Sequence, residues 1–78
     1  MKTTKYFEAT RQRADRAMIK TAWIAEVIAS PEAEHVQADG RIRRWARIAE
    51  YEGRWLRVVL LADGETVHNA FFDRRFAP

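Results

Sequence analysis

Residues 39–60, DGRIRRWARIAEYEGRWLRVVL, carry six arginines, two tryptophans and a tyrosine, and no lysine. A guanidinium is a planar fork that matches phosphate and carboxylate, and it also stacks on aromatic rings. Interleaved guanidiniums and rings suit a surface that grips an anion and lies against a flat apolar group. His68 follows shortly after, one of two histidines in the chain. Its reference pKa of about 6.5 suits proton transfer near neutrality. His68 as the titrating group, Arg47 and Arg57 as cations and Tyr51 as a second proton donor could cleave a phosphodiester through a neighbouring hydroxyl. That reaction needs a base, an acid and positive charge on the phosphorane. Arg43, Trp45, Arg47, Trp55 and Arg57 could serve binding alone, neutralising phosphates while bases stack on the rings. A lone histidine on a sheet is more often structural.

Other chemistries find little support. The chain has no cysteine, which removes disulfides, thiolate metal sites and a thiol nucleophile. His35 and His68 lie far apart and give no metal-ligand spacing. Ser30 is the only serine and sits beside Pro31 without a triad pattern. No glycine-rich phosphate loop is present, and no cofactor is expected. The net charge is only +3, carried by eleven arginines and three lysines against eleven carboxylates. MKTTKYFEAT lacks the apolar core of a signal peptide, and no apolar run approaches the roughly 20 residues that span a bilayer. The expectation is a cytoplasmic protein with no membrane partner. Seventy-eight residues make one domain, spanning 1–78. A chain of this size removes only about 60% of its unfolded surface from water. Its site should therefore be a surface groove or a sheet face rather than an internal cavity.

The chain divides at Pro31 into a helical part and a strand-rich part. KYFEA (5–9) reads as a short strand, which would be a fifth in the sheet, or as an extended entry. From Thr10, TRQRADRAM favours a helix with Ala14, Ala17 and Met18 at helical spacing. IKTAWIAEVIASP reads as a second helix after a break near Lys20. Thr21 is its candidate N-cap, and Ile24, Val27 and Ile28 form its apolar stripe. The residue before a proline disfavours the helical basin, so the helix should end at Ser30. Beyond it every glycine sits in a turn-like pair: Asp39-Gly40, Glu52-Gly53 and Asp63-Gly64. These divide four strands, about 34–38, 41–51, 55–61 and 66–72, into an antiparallel meander. The fold class is α+β, two N-terminal helices on one face of a four- or five-stranded sheet.

Register follows from burial. A three-residue middle loop sets Tyr51 opposite Trp55 and places Ile42, Ala46, Ile48, Leu56, Val58 and Leu60 on one core face. The Asp63-Gly64 turn then adds Val67, Asn69 and Phe71 to that face. The opposite face collects Arg43, Trp45, Arg47, Tyr51, Trp55, Arg57, Thr66 and His68, with Arg47, Val59 and His68 in one row. Val59, Leu61 and Phe72 make this outer face too apolar to stand bare. It reads as a nucleic-acid platform, as a protein interface rich in hot-spot residues, or as a face covered by the tail FFDRRFAP.

The arginine-rich first helix TRQRADRAMI, the helix ending in proline WIAEVIASPE, the strand LRVVL and the last strand TVHNAFF together resemble a family of short bacterial proteins of unknown function. That family is similar in turn to RelE/ParE-type toxins of the barnase-like ribonuclease fold. The resemblance covers about residues 6–72. It implies helices on an antiparallel sheet, with RNA bound or cleaved on or beside the sheet and an antitoxin-like protein as partner. Relatives often carry a histidine where this chain has Thr10, which removes one acid–base group from the pattern. RelE-like toxins also work with arginine and lysine clusters, so a histidine is not required. The alternative is a non-enzymatic interaction module whose Arg/Trp face binds an acidic partner or a second copy of itself.

Overall fold

Every second residue of the segment RWLRVVL leaves solvent entirely: Leu56, Val58 and Leu60 are fully buried. That period of two belongs to a strand with one face on a core. The computed structural model describes residues 1–78 and builds that core between three short helices and one sheet. The helices are α1 (Lys5–Thr10), α2 (Ala14–Ala17) and α3 (Thr21–Ala29). The strands are β1 (Ala33–Val36), β2 (Ile42–Ile48), β3 (Arg54–Leu60) and β4 (Val67–Phe72), antiparallel in the order β1-β2-β3-β4. The α+β meander is therefore as the sequence indicates. No helix is long and apolar enough to cross a membrane.

The helical layer differs in detail. KYFEA is helix α1, not strand. Thr4 caps it with an extended backbone and a hydroxyl that accepts from the Phe7 N–H at 3.1 Å, satisfying one orphan donor of the first turn. The chain then breaks before the single turn of α2, so the expected helix from Thr10 is divided in two. Lys20, not Thr21, holds the N-cap position of α3, without a side-chain hydrogen bond. The helix ends at Ser30, ahead of Pro31, as anticipated. Trp23, Ile24 and Val27 of α3 pack with Phe7 and Ile19 onto Ala46, Ile48, Leu56, Val58, Leu60, Val67 and Ala70. The fifth strand reduces to one parallel bridge, Thr3 to Val67. There Thr4 donates its N–H to the Val67 carbonyl at 3.0 Å, and Val67 returns one to Lys2 at 2.9 Å.

Two register details depart from expectation. Between β2 and β3 the chain makes a 3-10 turn at Ala49–Tyr51, and Glu52 (φ 58°) and Gly53 (φ 65°) then take left-handed backbone. Trp55 consequently faces Arg47 rather than Tyr51. The slip is an even number of residues, so each side chain keeps its face. Tyr51 itself leaves the sheet and packs on the helical side, its ring 4.5 Å from Phe72 and 5.9 Å from Trp23. In β4 a bulge separates the pairs Leu60–Val67 and Val59–Asn69. One extra residue reverses the side-chain alternation beyond it. Val67, Ala70 and Phe72 thus serve the core, while Asn69 and Phe71 turn outward, the reverse of the simple alternation.

Leu56 lies at the centre of the core with no exposed surface. Leu56→Ala should cost about 2–5 kcal/mol, a large share of the roughly 4–12 kcal/mol expected for a chain this long. Urea denaturation of the variant should show that loss as a lower midpoint.

Candidate nucleic-acid interface

The outer face of the sheet is built from the positions that alternate with the core. Arg43, Trp45 and Arg47 of β2 stand opposite Val59, Arg57 and Trp55 of β3, and Asn69 and Phe71 of β4 continue the first two rows. The outward residues expected on β2 and β3 are therefore present, apart from Tyr51, whereas Phe72 of β4 serves the core and Thr66 precedes the strand. The row Arg47–Val59–His68 is not formed: Val59 lies between Arg43 and Asn69.

The C-terminal tail covers the middle of this face. Phe76 stacks on Trp45 with ring centroids 4.5 Å apart and an interplanar angle of 16°, and its ring meets Trp55 edge-on at 4.9 Å. Asp73 accepts from the Trp45 indole N–H at 3.1 Å and from Arg57 Nη1 at 3.5 Å. Trp45 is left only 6% exposed. Of the two tryptophans, Trp45 is consequently a packing residue and the half-buried Trp55 is the one left accessible.

Beside the covered zone lies an open groove of about 480 Å³, bounded by β2, β3, β4 and α1. Arg41, Arg43, Arg57 and His68 line it together with Tyr6, Gln37 and Asn69, and no acidic side chain does. Arg43 makes no ion pair; its Nε donates to Gln37 Oε1 at 3.1 Å. Arg57 has a buried Nε without an acceptor. Burial, followed by the like charge of Arg43, pushes the Arg57 pKa down, opposed by Asp73. Arg41 pairs with Asp39 at 3.7 Å and Arg57 with Asp73 at 3.5 Å, so Arg43 is the groove arginine without a carboxylate and the one that favours an anion from solution.

His68 occupies the bulge. Thr4 Oγ1 lies 3.0 Å from its Nδ1, and the Tyr6 ring stacks on the imidazole at 4.8 Å and 23°. Thr4 Oγ1 already accepts from Phe7 N–H, so its own hydrogen suits Nδ1 and the ring proton then belongs on Nε2. Burial, and then the charge of Arg41, lower the His68 pKa from its ordinary value. At neutral pH the ring is an uncharged imidazole.

The four candidates for chemistry are therefore not one cluster. His68 and Arg57 share the groove. Arg47 stands away from it, its Nε and Nη2 held by Glu32 at 3.2 and 2.9 Å. Tyr51 is in the helical layer. Thr10 is buried and donates its hydroxyl to the Phe7 carbonyl at 3.1 Å. The groove also contains residues that sequence reasoning passed over: Tyr6, because its segment was read as extended, and Arg41, Gln37 and Asn69. The spacing Val67, Ala70, Phe72, a step of three followed by a step of two, was the available sign of a bulge.

No protein-family model, curated protein or solved structure matches this chain.

A depressed histidine pKa has a consequence for stability. The unfolded chain takes up the His68 proton more readily than the folded one, so this contribution is present above the unfolded pKa of about 6.5 and is lost as pH falls through the lower folded value. Denaturation of the native chain at about pH 7.5 and pH 5 should show the decline, and His68→Gln should remove that part of it. A larger decline in the variant would refute the assignment.

Proposed function

We propose that this chain is a cytoplasmic single-stranded RNA-binding domain of RelE-like type, holding phosphate in the groove of Arg41, Arg43 and Arg57. The observation that carries this reading is the convergence of three arginines and a histidine on one open groove without an acidic lining residue. Binding follows from the groove more directly than cleavage. Phosphate capture needs positive charge alone, whereas general acid–base cleavage needs a second proton carrier, and Tyr51 is in the other layer. Tyr6, half exposed and stacked on His68, offers a ring at the rim against which a base can lie. Gln37 and Asn69 add amide groups able to meet a ribose hydroxyl. In the toxin–antitoxin setting that the resemblance implies, an acidic antitoxin-like segment would compete for the same arginines.

The alternative of self-association through an Arg/Trp face loses support from the tail, because Trp45 is already covered by Phe76. What remains open on that face is guanidinium together with the half-buried Trp55 ring.

Arg41→Ala/Arg43→Ala changes side chains at the groove without touching the core. It should weaken binding of a mixed-sequence RNA at about 50 mM salt and flatten the salt dependence, since each lost phosphate contact removes about 0.7 from the log–log slope for a single strand. Fluorescence anisotropy across a salt series measures both. Absence of binding by the native chain at low salt would overturn the reading.

A further inference from the structure

Two more recesses continue from the groove along β4. The first, of about 310 Å³, shares Phe71 with the groove and is lined also by Arg16, Tyr51, Arg54, Phe72 and Arg74. The second, of about 490 Å³, shares Arg54, Phe72 and Arg74 with its neighbour and adds Trp55, Asp73 and Phe76. Phe71 stands between the groove and the first recess, and Arg54, Phe72 and Arg74 between the two recesses, so the three form a series along β4 from Tyr6 to Trp55. The topology explains its course. β4 is an edge of the sheet, and beyond Val67 its outer side has no backbone partner.

The charges along this path are unevenly satisfied. Eight arginines have a carboxylate within 4.0 Å. Arg43, Arg74 and Arg75 have none. Arg43 lies in the groove and Arg74 in both further recesses, so an unpaired guanidinium stands near each end of the path. Between them the Phe71 ring has the guanidinium carbons of Arg16 and Arg57 each 5.1 Å from its centroid. The Nε atoms of both are buried without an acceptor. Asp15 and Asp73, the acidic residues on the path, are already engaged by Arg16 and Arg57.

We propose that this path is an extended track for one RNA strand, with phosphates on Arg43 at one end and Arg74 at the other and bases lying against Tyr6 and Trp55. Alternating cations and rings along a groove suit a sequence-tolerant single strand, since every base has a stacking face. A duplex is too wide and stiff to follow a turn around one strand edge. The track rests on the RNA-binding reading of the groove and extends it to the far side of β4.

The test is a length series. End-labelled oligouridylates from dinucleotide to octanucleotide are titrated by fluorescence anisotropy against the native chain, Arg43→Ala and Arg74→Ala. Arg74 is exposed and holds nothing in place, so its variant should fold normally. Arg43→Ala should weaken every length. Arg74→Ala should leave the dinucleotide unchanged and weaken the octanucleotide by about threefold to tenfold, the loss expected of one phosphate contact. An octanucleotide that depends on Arg43 and is indifferent to Arg74 would overturn the track and leave the groove standing. No binding at any length would overturn both. Equal affinity for oligoglutamate, lost in the same variants, would replace the RNA strand by an acidic peptide.

Discussion

The bulge at His68 decides what the outer surface of this protein is. Without it, β4 would send Val67, Asn69 and Phe71 to the core and leave Ala70 and Phe72 facing solvent, burying an amide and wasting a ring. One unpaired residue corrects this: Val67 and Ala70 are buried and Phe72 joins the core, while Asn69 accepts from Arg16 at 2.7 Å on the outside. The displaced imidazole moves against Thr4 and Tyr6. The turn before it is equally well determined. Asp63 accepts from the Thr66 hydroxyl and from the N–H groups of Thr66 and Glu65, in that order of effect, and its carboxyl is held down to about 2. A tight turn and a bulge within a few residues fix where β4 lies, and the N-terminal segment fastens to the same place through Val67.

That fastening links the helical layer to the groove. Thr4 belongs to three interactions: the backbone bond to Val67, the cap of α1 and the hydrogen bond to His68. Surface ion pairs contribute little to stability one by one. Here their effect is rather to distribute charge. Glu32 takes Arg47, Glu34 takes Arg44 and Glu52 takes Arg54, and none of these carboxylates lines the groove. Two of the groove's cations, Arg41 and Arg57, are met from outside it by Asp39 and Asp73, so a modest net charge coexists with a groove whose unpaired cation is Arg43.

Much of the fold was legible because periodicity is a strong local signal. Leu56, Val58 and Leu60 alternate without interruption, and three glycine pairs mark the turns. The core face of β2 and β3 survived a wrong middle loop, since an even slip preserves parity. The site was harder to read. One extra residue in β4 exchanges the faces of Phe71 and Phe72, and a parity rule applied along the whole strand cannot accommodate it. Tyr6 was missed for a different reason. KYFEA has no helical periodicity of its own at this length, and its helix depends on the Thr4 cap and on Phe7 packing beneath the sheet. Tyr51 was misplaced by the loop, whose left-handed Glu52 is an unusual conformation for a residue with a Cβ.

The tail shows how a small domain can close a sheet without a second helical layer. An outer face bearing Trp45 and Val59 would expose more apolar surface than a monomer usually tolerates. Phe76 covers the indole by stacking, and Asp73 takes both its N–H and the nearest guanidinium. Those contacts are a carboxylate on Arg57 and an aromatic ring on Trp45, the pair of interactions that a nucleotide would make at the same place. The tail therefore satisfies the centre of the face internally and leaves unbalanced charge only at its margins. On the RNA-binding reading proposed above, an incoming strand would run along the β4 edge, where Arg74 has no carboxylate and Trp55 stays within reach.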